Sequence, residues 1–130
     1  MAGTLLPDSE GLSKLYREDP TVLGFIQAAR QESMRVATST TTVVEADYKR
    51  VHPARISWVL SRIDVHDVTR EVADQATRLL RTHRLRGHRY AIDAVLAAIA
   101  RRAALPATLL TSGPENLSLL CGPAVEVVEV

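Results

Sequence analysis

Between Tyr90 and Ala100 the chain runs Tyr-Ala-Ile-Asp-Ala-Val-Leu-Ala-Ala-Ile-Ala, a helical stretch in which every neighbour of Asp93 within a turn on either side is small or apolar. A helix greasy on all sides has to be covered by other elements. The carboxylate it carries inward is costly, because a buried charge without a partner is penalised by several kcal/mol or is neutralised through its pKa. Asp93 therefore points to a shared site, with an ion, a ligand or a second acid beside it.

The pattern around this run supplies strands and further helices. Gly3-Thr4-Leu5-Leu6 reads as a brief strand cut off by Pro7-Asp8, and Leu12, Leu15 and Tyr16 follow at helical spacing. Asp19-Pro20 pairs an N-cap with a proline at the first helical position, and Val22, Leu23, Phe25, Ile26 and Ala29 form the buried face of a helix ending near Arg30. Met34 to Thr38 is a second strand; Val43-Val44-Glu45-Ala46 starts a helix with Glu45 one turn into it. Ile56, Val59, Leu60 and Ile63 mark a helix from Ala54 to Arg62, and Val65 to Val68 a third strand. Thr69 caps a helix reaching His83, with Glu71 and Asp74 early and Arg78, Arg81 and Arg84 late, as the helix dipole favours. Gly87 breaks that helix, and the Asp93 helix then runs to about Ala103, before Pro106. Ala107 to Thr111 is the fourth strand, Ser112 to Asn116 a turn, Leu117 to Leu120 a short helix and Val125 to Val130 the last strand.

Strands alternating with helices imply right-handed crossovers and a parallel sheet covered on both faces. The expectation is an α/β fold, three-layer α/β/α around a mostly parallel sheet of roughly five strands, formed as one domain over residues 1–130. A net charge of +1 excludes a histone-like polycation. Cys121 is the sole cysteine, so no internal disulfide forms, and the four histidines show no zinc-like Cys/His spacing. A reducing cytoplasm fits this usage. With no leader-like start and no apolar run approaching about 18 residues, the chain reads as neither exported nor membrane-spanning.

Parallel sheets bind ligands beyond the carboxyl ends of their strands, where strand order reverses. Asp8 follows the first strand, Glu45 lies beyond the second and Ser112-Gly113 follows the fourth, so these positions can converge with Asp93. Clustered carboxylates repel, and the usual remedy is a hard cation such as Mg²⁺ or Mn²⁺. Such an ion acidifies water and neutralises charge on a phosphodiester, which makes hydrolysis of a nucleic-acid strand the expected reaction.

Four segments also carry a resemblance: Leu6-Pro7-Asp8-Ser9-Glu10-Gly11-Leu12-Ser13-Lys14-Leu15, Thr42-Val43-Val44-Glu45-Ala46, Gly87-His88-Arg89-Tyr90-Ala91-Ile92-Asp93-Ala94 and Leu110-Thr111-Ser112-Gly113-Pro114-Glu115-Asn116-Leu117. In order and spacing they resemble the successive motifs of PIN-domain ribonucleases, and within that family the toxins of VapBC toxin–antitoxin pairs. The resemblance implies a Mg²⁺-dependent (or Mn²⁺-dependent) endoribonuclease acting on structured RNA such as tRNA, a homodimer held inactive by a cognate antitoxin. It also implies that Asp8, Glu45 and Asp93 are catalytic, metal-site acids. The family's fourth-strand motif commonly reads Thr-x-Asp with an acid or Asn three residues on, whereas this chain has Thr111-Ser112-Gly113 and then Asn116. The fourth acid is missing, leaving Thr111, Ser112 and Asn116 as supporting groups and making a catalytically weakened binding protein the alternative reading.

The bland readings are an N-cap role for Asp93, a loop-acid role for Asp8 and a Glu45–Lys49 helix pair. Within the basic stretch His83 to Arg89, Arg86 and Arg89 are the choices for gripping RNA phosphates. Trp58 reads as core packing or a subunit interface ahead of base stacking. Pro7 lacks an N–H at the end of a central strand and is expected to shorten it.

Overall fold

The computed structural model describes residues 3–130, so Met1 and Ala2 of the expected domain lie outside the described residues. Strands and helices follow as β1 (Thr4–Pro7), α1 (Ser9–Tyr16), α2 (Pro20–Gln31), β2 (Arg35–Ser39), α3 (Thr40–Ala46), α4 (Pro53–Leu60), β3 (Asp64–His66), α5 (Arg70–His83), α6 (Gly87–Arg102), β4 (Ala107–Thr111), α7 (Pro114–Cys121) and β5 (Val125–Glu129). The five strands form one sheet in the order β3-β2-β1-β4-β5, and every pairing is parallel. Strand order reverses between β1 and β4, which are direct neighbours.

Side chains alternate across this sheet with period two. Leu5, Val36 and Leu110 join Leu12, Leu15, Val22, Ile26 and Val59 from α1, α2 and α4 in one core. Leu6, Ala37 and Leu109 face the other way, onto a core built with α5, α6 and α7. The fold is thus α/β/α in three layers. Helix α6 lies deepest: Ala94 and the run Leu96 to Ala100 are all buried, and its alanines let the backbone approach its neighbours closely.

The caps fall where the sequence puts them. The Asp19 carboxylate accepts from Thr21 and Val22 N–H at 3.0 and 3.1 Å, and the Thr69 hydroxyl from Val72 N–H at 3.1 Å. Several boundaries differ: α7 takes in Pro114 to Asn116, expected as part of a turn, and β3 is Asp64–His66 rather than Val65 to Val68. Helix α3 begins at Thr40 rather than Val43, because the Ser39 hydroxyl caps Thr42 N–H at 3.0 Å; Glu45 consequently sits in its last turn. The break after α5 is made by Arg84 in the left-handed conformation (φ 56°), whose backbone N–H returns to Arg81, while Gly87 is the first residue of α6.

Pro7 shortens one ladder only. Thr4 and Asp8 donate their N–H groups to Pro106 and Leu110 of the β4 side, both at 2.9 Å, so by alternation the missing donor of Pro7 faces β2. There the register ends at Leu5↔Val36, whereas with β4 it continues to Pro7↔Leu110. The Thr38 hydroxyl donates to the Pro7 carbonyl at 3.0 Å and completes that edge.

Candidate metal centre

Asp8 emerges at the carboxyl end of β1, at the strand-order reversal. Its carboxylate is 7 % exposed and caps α1, accepting from Gly11 N–H at 2.8 Å. Gly11 lets that helix start close: an added Cβ would stand 3.1 Å from the Leu110 carbonyl and 3.2 Å from the Pro7 ring. Burial raises the Asp8 pKa above the usual carboxylate range; the Gly11 N–H and the Thr111 hydroxyl pull it back, and Glu10 pushes it up again. Asp8 therefore caps the first helix, as the loop-acid reading has it, and is also a buried acid lining the cleft.

Asp93 stands nearly two turns into α6, where Arg86 is the N-cap position, so the N-cap reading does not hold for it. Burial, then the charges of Asp8 and Glu45, push its pKa up to about 6. Two acids far away in sequence thus act on Asp93 through space. The cleft, about 270 Å³, is lined by Asp8, Glu45 and Asp93 together with Arg89, Thr111 and Ser112. Glu45 is exposed and accepts a short hydrogen bond from the Ser9 hydroxyl. Lys49 lies three residues past the end of α3, so the helical Glu45–Lys49 pair is not formed.

The supporting residues divide. Thr111 is 1 % exposed and accepts from Gly113 N–H at 3.0 Å, fixing the turn beyond β4. Ser112 lines the cleft; Asn116 does not, because α7 starts at Pro114 and carries it into the helix. Arg89 borders the acids, whereas Arg86 is exposed and lines no part of the cleft. Gly113 also lines it, and a Cβ added there would meet nothing within 4 Å. Ser9 is a cleft residue that sequence reasoning misses; its place directly after the first acid, at the first helical residue, is the signal that could have found it. Trp58 is not core: it is 51 % exposed, with the Arg55 and Arg62 guanidinium carbons 5.1 and 4.8 Å from its ring centre.

The groups in the cleft that could ligate a metal are all oxygens, from carboxylates or from the Ser9, Thr111 and Ser112 hydroxyls, which is the set a hard dication takes with water completing its shell. Among the described residues no group of three or more His, Cys, Asp or Glu side chains is placed to hold a metal ion by itself. The donor chemistry fits Mg²⁺ or Mn²⁺ in an open, partly hydrated site and does not fit a soft or closed one. A roomier cavity, about 490 Å³, lies beneath the start of α5 and the end of α6. Four of its charged groups are paired, Arg35 with Asp64 at 2.9 Å and Arg102 with Glu71 at 3.2 Å, leaving Asp67 as a single acid, whereas the acidic cleft gathers several.

No family model matches the chain, and no curated protein is similar enough in sequence to match it. Solved structures do. A VapBC2 structure from Rickettsia felis, bound to a DNA fragment from its promoter, is 15% identical, with a TM-score of 0.69 over 98% of this chain and 98% of that one. A toxin–antitoxin complex from Klebsiella pneumoniae is 19% identical, with a TM-score of 0.64 over 93% and 94% of the two chains. At these identities the likeness establishes the fold, and it bears out the PIN-like α/β architecture that the motifs implied. Among the described residues no helix is long and apolar enough to cross a membrane.

Proposed function

We propose that this protein is a metal-dependent endoribonuclease of the toxin–antitoxin type, hydrolysing RNA phosphodiester bonds. One observation carries the reading: Asp8, Glu45 and Asp93 line one cleft at the strand-order reversal, and Asp93, its pKa pushed up to about 6 first by burial, also feels the charges of both other acids. Repulsion of this kind is relieved by a divalent cation rather than by any lysine or arginine salt bridge to the three acids, none of which is formed among the described residues.

Asp8, Glu45 and Asp93 are the residues that would hold Mg²⁺ or Mn²⁺. When bound, such an ion supplies charge neutralisation at the phosphodiester and a lower pKa for water. The chain's own groups do the rest. Asp8 is fixed by Gly11 N–H, so one acid is rigid; Glu45, oriented by the Ser9 hydroxyl, comes from an exposed helix end and can adjust. Asp93 must give up its proton before it can ligate. Arg89 at the rim offers a cation to a neighbouring phosphate. The similar structures are of a VapBC2 assembly and of a toxin–antitoxin complex, which supports a cognate antitoxin as the partner. The motif resemblance adds structured RNA such as tRNA as substrate, a homodimer and a cytoplasmic setting.

The test is cleavage of structured RNA by the purified chain with and without Mg²⁺ or Mn²⁺. Asp8→Asn and Asp93→Asn should each lower the rate by at least about 100-fold, the scale on which metal-site groups act. Undiminished cutting by Asp93→Asn refutes the assignment. Gly113 favours a second reading, a non-cleaving binding protein, since the fourth acid of the motif is absent from the cleft. Dication binding without cleavage of any RNA would select it.

A further inference from the structure

The acidic cleft is one end of a longer groove. It shares Ser9, Glu10 and Glu45 with a second depression of about 360 Å³, which continues past Arg17 to Asp47 and Tyr48. That one shares Asp47 and Tyr48 with a third, about 560 Å³, bounded by Lys49 and Arg50. The three run from α6 across the start of α1 to the loop after α3.

The middle of this groove holds a prearranged aromatic platform. The Arg17 guanidinium carbon lies 4.8 Å from the Tyr48 ring centre. It is held flat from two other directions, Nη2 against Glu10 Oε1 at 3.2 Å and Nε donating to the Ser13 carbonyl at 3.3 Å. Arg17 covers the ring from one side, and Tyr48 lines two adjoining depressions, so the ring borders the groove where a planar ligand would lie, with little rotamer freedom left to lose when one arrives. Beyond the ring, Lys49 and Arg50 are exposed and take part in no salt bridge among the described residues. Arg89 is the equivalent cation at the opposite end. Along the groove lie Arg89, then Asp8, Asp93, Glu45 and Glu10, then Arg17 and Asp47 beside the Tyr48 ring, and last Lys49 and Arg50.

We infer that the groove is the track of a single-stranded RNA segment, in which a base beside the reacting phosphate stacks on Tyr48 and the following phosphate is held by Lys49 and Arg50. This rests on the nuclease reading for which phosphate reacts, but the binding itself does not need cleavage. A single strand is required, because stacking on a side chain takes a base out of its own helix. Charge argues for the register: phosphates at the two ends meet Arg89 or Lys49 and Arg50, while the one between them lies over the acids that would hold the dication.

The test uses the full chain as Asp93→Asn in EDTA, with a short fluorescein-labelled single-stranded RNA and anisotropy as readout. Tyr48→Leu should weaken binding about tenfold, the scale of one stacked base, and Tyr48→Phe should restore it. Lys49→Ser with Arg50→Ser, both exposed and so neutral for folding, should lower the log–log salt slope by about 0.7 for each phosphate that is no longer neutralised. The same sequence annealed as duplex should bind more weakly. Unchanged affinity in Tyr48→Leu, an unchanged salt slope, or equal affinity for duplex overturns the track. Absence of cleavage in the wild type, with these binding effects intact, removes the nuclease reading and leaves the track standing.

Discussion

Replacing Asp93 by asparagine should stabilise the metal-free protein while removing its chemistry. The carboxyl titrates near 3.8 in an unfolded chain and about 6 in the folded one. Because the folded value is the higher, the folded state holds a proton that the unfolded state releases across that interval. Stability therefore falls as pH rises from about 3.8 to about 6, and the whole penalty is present above it. At about 1.36 kcal/mol per pKa unit the shift is at most about 3 kcal/mol. Asp93 is only partly buried and water screens much of the effect, so the realised gain for Asp93→Asn is about 1 kcal/mol at pH 7.5. For a chain of this size that is a rise in Tm of about 3–6 °C. Thermal unfolding in EDTA at pH 7.5 and at pH 4 checks it, since near pH 4 the folded wild type is already protonated and the advantage should largely disappear. Saturating Mn²⁺ should reverse the order by raising the wild-type Tm alone, through binding to the folded state. An asparagine variant that is no more stable than wild type at pH 7.5, or equally advantaged at both pH values, would refute the claim that repulsion and burial strain this carboxylate.

Two further outcomes follow from the same cleft. Mn²⁺ affinity measured by calorimetry should drop about tenfold per pH unit below about 6, because the ion must displace the Asp93 proton, and a flat profile between pH 5 and 7 would show that Asp93 is not a ligand. Gly113→Asp places a fourth carboxylate where a Cβ has free space; it should tighten Mn²⁺ binding several-fold and lower the metal-free Tm, with no change in either indicating that this turn does not face the ion.

Much of the architecture is legible in local pattern. Leu5 and Leu6, or Leu109 and Leu110, feed opposite cores because adjacent strand residues point to opposite faces, and strand alternating with helix already implies parallel pairing. Asp19 and Thr69 are readable as caps because the groups they satisfy lie within three residues. The start of α3 is not, since three threonines in a row are poor helix formers. The Ser39 hydroxyl and the burial of Thr42 decide it, and with it move Glu45 to the helix end. The turn before α6 misleads in the same way: glycine is the usual left-handed residue, but Arg84 takes that conformation here.

The chain's own order of residues determined that acids would sit at strand exits and that Asp93 would be an anomaly in an apolar helix. Only the tertiary structure decided that β1 and β4 are neighbours, that the acids following β1, within α3 and within α6 share one cleft, and that Arg17 lies over Tyr48 beside them. The reason is range. Propensity, capping and side-chain alternation act within a few residues, whereas repulsion between carboxylates and the loss of hydration depend on distances through space that no local stretch of sequence specifies.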